Sequence, residues 1–404
     1  MTHVVVAGAG QAGASVVAKL RSDGFDGQIT LIGAEPVPPY QRPPLSKAYL
    51  LGEMAEERLY LRPQTYYEDN DIVLRLNTRV VAIDPAAKQV TLNDDTQLAY
   101  DDLVLTLGAH PRTLPAEIGG MLDGVFAVRD LADADAMAPA FAAGKHVLII
   151  GGGYIGLEAA AVASKLGLQV TLVEMADRIL QRVAAPETSD YFRALHREHG
   201  VDIREGVGLD HLIGDDHVTG AKLTDGTELQ IDFAIVGVGI NPASILADSA
   251  GLAVANGIVT DSHGRSSHPH IWAAGDCATC LFEGAQVRLE SVGNAIDQAE
   301  AVAKNIMGAD APYQPKPWFW SDQYDCKLQI AGLNIGYTDV YIRPGGAPGV
   351  QSNWYYKGAS LIAVDAMNDP RNYMIGKRLI EAGRSPDPAA IMDPATDMKA
   401  LLKP

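Results

Sequence analysis

The 404-residue sequence has few cysteines, fewer basic than acidic residues and no long apolar run. Each of these shortages argues against one class of protein. Three cysteines are too few, and odd in number, for a disulfide framework. The 32 basic side chains are outnumbered by 50 acidic ones, and the net charge of −18 argues against a nucleic-acid partner. No apolar stretch approaches the roughly 18–20 residues of a membrane span. We therefore expect a cytoplasmic protein without a membrane segment.

Length and composition set further limits. A chain of this length favours about two to three domains. Its 40 glycines and low aromatic content, 6%, are typical of a fold with many strand-to-helix turns. Since a strand pattern already begins at Val4, we expect no N-terminal targeting peptide. The ten histidines show no paired spacing, so the sequence predicts no metal site.

The same glycine pattern occurs twice, each time after a short apolar strand and before a helix of small residues. The first copy is VVVAGAGQAG at 4–13, and the second is VLIIGGGYIGLE at 147–158. Such a turn lets the backbone approach a dinucleotide pyrophosphate at a helix N-terminus. One copy alone is weak evidence, but two predict two dinucleotides. The predicted phosphate-binding residues are Gly8, Gly10, Ala12 and Gly13 in the first copy and Gly151, Gly153 and Gly156 in the second.

An acidic residue follows each glycine pattern at the distance where a carboxylate can bind ribose hydroxyls. Glu35 lies 22 residues after Gly13, and Glu174 ends a strand 18 residues after Gly156. A carboxylate at Glu174 accepts bonds from a free 2′-hydroxyl and repels a 2′-phosphate. Arg178 and Arg182 follow closely and could hold a phosphate, but Glu174 favours NADH.

Two proline-rich segments organise the rest of the chain. Pro36–Leu50, PVPPYQRPPLSKAYL, predicts a rigid path into a helix that begins near Leu45, with Lys47 in its first turns. A second break at 108–112 is a candidate linker out of the first domain. From Pro315 onward most of the tryptophans occur among short β-prone runs, which indicates a separate α+β domain.

Five motifs occur in order: PYQRPPLSKAYL, GGGYIGLE, GDCA, RLESVGNA and PWFWSDQ. Together they resemble the FAD-dependent ferredoxin reductases of bacterial oxygenase systems, over nearly the whole chain. The resemblance implies an α/β fold of the glutathione-reductase type, with two Rossmann-like dinucleotide-binding domains and a C-terminal α+β domain. It implies an FAD domain at 1–112 and 242–313, an NADH domain at 113–241 and a C-terminal domain at 314–404. The implied reaction passes a hydride from NADH to FAD and then single electrons to a 2Fe–2S ferredoxin.

The same resemblance implies further FAD contacts. They are Val80, Arg129, Asp276 and Val292. For Arg129 a surface salt bridge is the alternative. The Ala-Thr-Gly turn of the family appears here as Thr106-Leu107-Gly108, so a threonine hydroxyl contact at that turn is expected to be displaced or absent.

Four residues are the candidate catalytic groups. The resemblance pairs Lys47 with Glu158 beside the flavin, where a cation favours the reduced, anionic ring and the carboxylate limits the cost of burying it. The alternative is two exposed helix charges. Tyr154 is expected to cover the flavin until nicotinamide displaces it, or else to pack in the core. Trp320 matches an aromatic residue on the far side of the flavin, with plain packing as the alternative.

Cys277 and Cys280 have the C-x-x-C spacing of redox dithiols, but they follow Gly-Asp in the predicted FAD domain. The prediction is therefore a reductase without a catalytic dithiol. Two alternatives stay open at this point: a dithiol or peroxide reductase of the same fold, and a slow flavoprotein whose main role is binding or signalling.

Overall fold

The structure, a computed structural model, describes residues 2–403. Its strands, in chain order, are β1 (His3–Ala7), β2 (Gln28–Ile32), β3 (Ile72–Arg75), β4 (Val80–Asp84), β5 (Gln89–Leu92), β6 (Gln97–Ala99), β7 (Asp102–Leu105), β8 (Ala109–Pro111), β9 (Val125–Phe126), β10 (His146–Ile150), β11 (Gln169–Glu174), β12 (Asp202–Glu205), β13 (Leu209–Gly214), β14 (Val218–Leu223), β15 (Glu228–Gln230), β16 (Phe233–Val236), β17 (Ile240–Pro242), β18 (Val254–Ala255), β19 (Gly257–Ile258), β20 (Ile271–Ala273), β21 (Cys280–Phe282), β22 (Ala285–Val287), β23 (Trp318–Gln323), β24 (Cys326–Gly332), β25 (Asp339–Pro344), β26 (Gln351–Lys357) and β27 (Ser360–Met367). Its α-helices are α1 (Gln11–Ser22), α2 (Gln64–Asp69), α3 (Leu131–Met137), α4 (Tyr154–Lys165), α5 (Pro186–Glu198), α6 (Ile245–Ser249), α7 (Val292–Ile306), α8 (Pro370–Glu381) and α9 (Pro388–Met392).

The chain forms two compact units, each assembled from separate stretches of sequence. The first unit comprises the chain up to Gln41, together with 55–110 and 240–317. The second comprises 42–54, 111–239 and the chain from Trp318 onward. Within residues 2–403, none of the helices is both long enough and apolar enough to cross a bilayer.

The first unit is built on a five-stranded parallel sheet in the order β20-β7-β1-β2-β3. Alternate residues of β1 face opposite sides, as strand geometry requires. Val4 and Val6 pack in a core with helices α1 and α7. Val5 and Ala7 pack on the other side, in a core shared with the antiparallel strands β4 and β5. With both faces covered, the central strand is apolar from Val4 to Ala7.

The second unit repeats this arrangement. Its parallel sheet has the order β12-β11-β10-β16-β9. Val147 and Ile149 face a core with helices α4 and α5, and Leu148 and Ile150 face the small antiparallel sheet β13-β14-β15. The repeated strand–glycine turn–helix sequence therefore folds twice into the same Rossmann-like architecture, as the sequence predicted.

The second unit also contains an antiparallel sheet in the order β23-β24-β27-β26-β25. One part of this sheet packs against helix α8, through a core that includes Trp354, Val364 and Leu379. Another part contributes Leu328 and Met367 to the core of helices α4 and α5. The C-terminal sheet therefore bears directly on the helix that follows the second glycine turn.

The helix predicted to begin near Leu45 is wrong. The structure has a short 3₁₀ helix at Pro43–Ser46, followed by turns. Lys47 is its C-terminal cap, with φ −138° and ψ −112°, outside the helical region. Because Lys47 leaves the helical conformation, the 3₁₀ turn that the two prolines begin ends there and no regular helix follows.

Candidate functional site

The two glycine turns have the same internal geometry. Gly8 has φ +113° and Gly151 has φ +109°, a conformation that residues with a side chain rarely adopt. A Cβ at Gly8 would lie 2.2 Å from the carbonyl oxygen of Thr106, and one at Gly151 would lie 2.4 Å from that of Gly237. The first glycine of each turn is therefore required by both its backbone conformation and its packing.

The remaining glycines divide into two kinds. A Cβ at Gly13 or Gly156 would come within 2.0 or 2.1 Å of the carbonyl oxygen of the first glycine of its own turn. At Gly10 and Gly153, by contrast, a Cβ would have no atom of residues 2–403 within 4 Å. Packing within this described part of the chain does not require glycine at these two positions, which cap helices α1 and α4. The open space at a helix N-terminus fits a dinucleotide pyrophosphate in both turns.

Thr106 supports the first turn. Its hydroxyl donates to the carbonyl oxygen of Gly8 over 2.8 Å. The hydroxyl is therefore bonded within the glycine turn, and the displaced or absent threonine contact at this segment stays a prediction.

Three other predicted FAD contacts of the first unit lie at the starts of elements or beside the turn. Asp276 follows β20, and its neighbour Gly275 packs so closely on Ala12 that a Cβ at Gly275 would lie 3.1 Å from the Cβ of Ala12. Val80 begins β4, and Val292 begins α7 after its capping residue Ser291. The structure thus brings Asp276 beside the N-terminus of α1.

Glu35 follows β2, at the edge of the sheet where the glycine turn lies. Its Oε2 accepts a hydrogen bond of 2.6 Å from the hydroxyl of Tyr40, a residue of the proline-rich segment. The sequence did not indicate Tyr40 as part of this site. Tyr40 could have been predicted from its position, because it lies five residues beyond Glu35 in a proline-rich segment of restricted conformation.

Glu174 is tied to the second glycine turn by both carboxylate oxygens. Oε2 accepts from the backbone N–H of Gly152 over 2.7 Å, and Oε1 from that of Ala176 over 2.8 Å. Gly152 packs tightly on this side chain, since its Cβ would lie 3.2 Å from Glu174 Oε2. The carboxylate therefore fixes the shape of the turn.

The two arginines that could hold a 2′-phosphate are placed differently. The guanidinium of Arg178 donates to Ser189 Oγ over 2.5 Å and to the carbonyl oxygen of Ala184 over 2.8 Å. Arg182 is exposed. Arg178 is therefore engaged with its own loop and the start of α5.

Lys47 and Glu158 meet in the second unit. Lys47 Nζ lies 2.8 Å from Glu158 Oε2, and the carboxylate also accepts from Ser46 Oγ over 3.1 Å and from Ser321 Oγ over 2.7 Å. Only 2% of the Glu158 side chain is exposed. Burial raises the pKa of Glu158, while Lys47, Ser321 and Ser46 act in the opposite direction. The alternative of two exposed helix charges does not describe this pair.

Two residues of this cluster were missed in the sequence. Ser46 adjoins Lys47, and Ser321 lies in the PWFWSDQ motif on strand β23. Alternation along the strand would have placed Ser321 on one face with Phe319 and Gln323. That period of two was the signal available.

Tyr154, the first residue of α4, packs on the C-terminal sheet. Its ring centroid lies 5.0 Å from that of Phe319, at an interplanar angle of 39°. Its hydroxyl is buried and has no hydrogen-bond partner among the described residues, and burial raises its pKa well above the ordinary value. A buried phenol without a partner is poorly satisfied where it stands.

Trp320 does not join this cluster. It stacks on Trp318, with ring centroids 5.4 Å apart and an interplanar angle of 22°, on the face of β23 opposite to Phe319 and Ser321.

Arg129 lies before helix α3: its carbonyl oxygen accepts from Arg42 over 2.8 Å, and its N–H donates to Asp133.

Cys277 and Cys280 are free, buried thiols. Burial raises the pKa of both to about 11. Cys277 Sγ donates to the carbonyl oxygen of Leu105 over 3.4 Å. Thiols of such high pKa are poor nucleophiles at neutral pH.

With this geometry established, comparisons with known proteins identify the family. The family model described as pyridine nucleotide-disulphide oxidoreductase matches residues 2–299, and the reductase C-terminal model matches residues 318–402. A ferredoxin–NAD(P)+ reductase of Sphingomonas sp. is 43% identical over 410 residues, which cover 100% of this chain and 99% of the relative.

Solved structures agree. The reductase in the covalent putidaredoxin reductase–putidaredoxin complex has a TM-score of 0.96 at 40% identity, covering 99% of this chain and 98% of the other. The ferredoxin reductase for the CYP199A2 system from Rhodopseudomonas palustris also has a TM-score of 0.96, at 39% identity, and covers both chains completely. The predicted family, fold class and oxidoreductase activity with FAD and a nicotinamide dinucleotide are thereby confirmed. The chain belongs to the pyridine nucleotide-disulphide oxidoreductase family, in its branch of ferredoxin reductases.

Proposed function

We propose that this chain is an NADH-dependent reductase of a 2Fe–2S ferredoxin that supplies a monooxygenase or dioxygenase. FAD, when bound, accepts a hydride from NADH and releases the electrons one at a time. The observation that carries the proposal is the Lys47–Glu158 pair, because Glu158 belongs to the helix that starts at the second glycine turn. Nicotinamide binding and flavin electrostatics then depend on one helix.

In this proposal the protein positions the reactants and supplies charge. The glycine turns and the N-termini of α1 and α4 bind the two pyrophosphates. Hydride transfer needs the donor and acceptor atoms about 3–3.5 Å apart, and no side chain has to act as an acid or base for it. Lys47 supplies a cation that stabilises negative charge on the reduced ring, and Glu158 keeps that cation in place. Tyr154 covers the nicotinamide position until the cofactor arrives.

NADH is favoured over NADPH by two neighbouring side chains. Glu174 holds a carboxylate at the ribose position through its bonds to Gly152 and Ala176. Arg178, which could otherwise neutralise a 2′-phosphate, is engaged by Ser189 and Ala184. Binding NADPH would require a phosphate to approach the carboxylate without that arginine.

The remaining predictions from the sequence belong to the same proposal. The FAD domain comprises 1–112 and 242–313, the NADH domain 113–241 and the C-terminal domain 314–404. Glu35, Asp276, Val80, Val292 and Arg129 contact FAD, and Trp320 lies near the surface where the ferredoxin docks. We place the protein in the cytoplasm, where the three free cysteines stay reduced.

Neither rival has comparable support. A dithiol reductase needs a low-pKa thiol, and burial raises the pKa of Cys277 and Cys280 to about 11. A binding or signalling flavoprotein has no need of a charge pair that tunes electron transfer.

The test uses the holoenzyme with FAD. Anaerobic NADH should bleach the flavin within a stopped-flow record, and cytochrome c should be reduced fast only when a 2Fe–2S ferredoxin is added. Slow flavin reduction, or cytochrome c reduction that ignores the ferredoxin, contradicts the proposal. Flavin reduction followed by two new titratable thiols would instead favour the dithiol reductase.

A further inference from the structure

A chain of hydrogen bonds leads from Glu158 to the end of helix α5. Ser321 Oγ lies 2.7 Å from Glu158 Oε1, and Gln323 Nε2 lies 3.1 Å from Ser321 Oγ. His196 Nε2 lies 2.7 Å from Gln323 Oε1, and the hydroxyl of Tyr324 lies 3.2 Å from His196 Nδ1. The chain joins helix α4, strand β23 and helix α5.

The donors of this chain all point toward Glu158. The amide nitrogen of Gln323 can only donate and its oxygen can only accept. His196 must then donate from Nε2 and accept at Nδ1 from Tyr324. Ser321 accepts from Gln323, so its own proton is directed to the carboxylate. The opposite amide orientation would draw that proton to Gln323 and leave Glu158 Oε1 without it.

The inner links are shielded from water. Ser321, Gln323 and His196 each have 0% of their surface exposed, and Glu158 has 2%. Hydrogen bonds that are shielded from water are strong, and a buried polar group that loses its partner destabilises the protein. A network in which every group is paired therefore holds its side chains in one arrangement. Burial also lowers the pKa of His196 to about 4, so the imidazole is neutral at physiological pH and can both donate and accept.

The outer end of the chain carries an unusual backbone conformation. Tyr324 is the first of the two residues between β23 and β24 and has φ +56°, in the left-handed region where glycine is preferred. Its ring stacks on His199, with centroids 3.6 Å apart and planes at 14°. Strain of this kind persists where surrounding contacts enforce it. Here it directs a tyrosine hydroxyl onto His196.

We propose that Tyr324, His196, Gln323 and Ser321 are positioning residues that fix the orientation and the negative charge of Glu158 beside Lys47. The role of the Lys47–Glu158 pair in this inference rests on the proposed function. The hydrogen-bond chain is observed in the structure independently of that function. Glu158 Oε2 accepts hydrogen bonds from Lys47 and Ser46, and Oε1 accepts one from Ser321, the last link of the hydrogen-bond chain. Each carboxylate oxygen therefore has its own donors. Lys47 is the charged group that faces Glu158, and the other groups in contact are the two serine hydroxyls.

The decisive variant is Gln323→Met in the FAD-loaded enzyme. It interrupts the middle of the hydrogen-bond chain with a side chain of similar length, at a buried residue whose side chain bonds to Ser321 and His196 rather than to Glu158. The limiting rate of flavin reduction by NADH should fall about threefold to tenfold, the equivalent of one hydrogen bond, with an unchanged KM for NADH. Infrared difference spectra with labelled glutamate should show Glu158 protonated at a higher pH than in the parent enzyme.

Three further variants separate positioning from plain packing. His196→Gln can still donate to Gln323 and accept from Tyr324, so it should keep most of the rate, whereas His196→Leu should behave as Gln323→Met. Tyr355→Phe removes a buried hydroxyl that bonds to Ala185, Thr188 and Asp365, outside the route from His196 to Glu158, and it should leave the rate unchanged. Equal losses in Tyr355→Phe and Gln323→Met would overturn the proposal.

A readout independent of turnover is the histidine tautomer. Nitrogen NMR of the enzyme should show His196 protonated at Nε2 and should change in Gln323→Met; an Nδ1-protonated ring in the parent enzyme overturns the direction of the chain. The reporter for the proposed function is Lys47→Met. Lys47→Met could leave flavin reduction unchanged while the His196 tautomer and the Glu158 titration still respond to Gln323→Met. That result would support the positioning of Glu158 by the hydrogen-bond chain and contradict a catalytic role of the Lys47–Glu158 pair.

Discussion

Lys47 lies 2.8 Å from Glu158, and of the two it is the carboxylate that the protein buries completely: 18% of the lysine side chain is exposed and 2% of the glutamate. An anion shielded this well needs its donors, and it has three, from Lys47, Ser46 and Ser321. The partly exposed cation is the member of the pair that can face a ligand. In the proposed function the glutamate therefore acts through the lysine.

Removing the cation tests this division of roles. Lys47→Met is expected to slow flavin reduction by NADH about tenfold to a hundredfold, because a fixed charge near the reduced ring is lost. FAD content should not change. Anaerobic stopped-flow absorbance measures the rate. Since the single variant leaves a buried carboxylate without its cation, the double variant Lys47→Met/Glu158→Gln serves as the control: it should be as slow but more stable, and a rate restored to that of the parent contradicts the role of Lys47.

The glycine turns allow a prediction that separates packing from ligand binding. Gly10→Ala places its Cβ where none of the described residues has an atom within 4 Å, so the apoprotein should fold normally but bind FAD more weakly, because the pyrophosphate approaches the same space. Gly13→Ala brings its Cβ to 2.0 Å from the carbonyl oxygen of Gly8 and should destabilise the apoprotein itself. Circular dichroism and FAD titration distinguish the two. Normal FAD affinity in Gly10→Ala would show that the pyrophosphate does not bind at the first glycine turn.

Cofactor choice can be altered at Glu174. Glu174→Ala should lower kcat/KM for NADH about tenfold to a hundredfold, because the ribose contact is lost and the N–H of Gly152 loses its acceptor. NADPH should improve little while Arg178 stays bound to Ser189 and Ala184. Steady-state kinetics with both cofactors test this, with Glu228→Gln, in an exposed ion pair, as the control. A single-step conversion to NADPH preference would contradict the role given to Arg178.

Asp365 predicts a pH-dependent stability. The carboxyl is fully buried and accepts from Thr188 and Tyr355, and burial raises its pKa to about 6. Because the folded pKa lies above the unfolded one, near 4, the group favours folding below pH 4 and loses that contribution as the pH rises through 6. Asp365→Asn should therefore raise the free energy of unfolding by up to about 3 kcal/mol above pH 7 and by little near pH 4.

Urea unfolding of the FAD-loaded enzyme at both pH values is the measurement for Asp365→Asn. Asp397→Asn, at an exposed carboxylate, is the control and should show no comparable difference between the two pH values. A gain for Asp365→Asn that is equal at both pH values would contradict the ionisation argument.

The two cysteines give a prediction of no effect. Cys277→Ser/Cys280→Ser should transfer electrons to ferredoxin at the parent rate, because neither buried thiol enters the reaction. Thiol titration of the denatured parent enzyme, before and after anaerobic NADH, should find the same number. A gain of two thiols after NADH would show that a disulfide had been reduced.

The parts of the site that follow one local pattern were predictable, and those that need distant contacts were not. A strand, a glycine turn and a helix are adjacent in sequence, so both dinucleotide folds could be inferred directly. Lys47 was assigned to a helix because the proline run was given the role of a helix start, whereas two prolines in succession produced a 3₁₀ bend. Ser321 was missed as a partner because it lies 163 residues from Glu158.

Gln323 and His196 were missed for a similar reason, and each alone is an ordinary buried polar residue. Their pairing depends on how strand β23 packs on helix α5, which no local spacing encodes. The period of two along PWFWSDQ does encode which residues share a face of the strand. It cannot encode which helix that face meets.

The contact between Ser321 and Glu158 has a consequence for how this chain can be recombined with its relatives. Glu158 falls within the segment matched by the first family model, and Ser321 within the segment matched by the second. A chimera that exchanges the C-terminal segment replaces Ser321, Gln323 and Tyr324 while it keeps Glu158 and His196. Such a hybrid should differ in flavin reduction if the incoming segment does not restore these hydrogen bonds. The two segments are therefore coupled through buried side chains as well as through the fold.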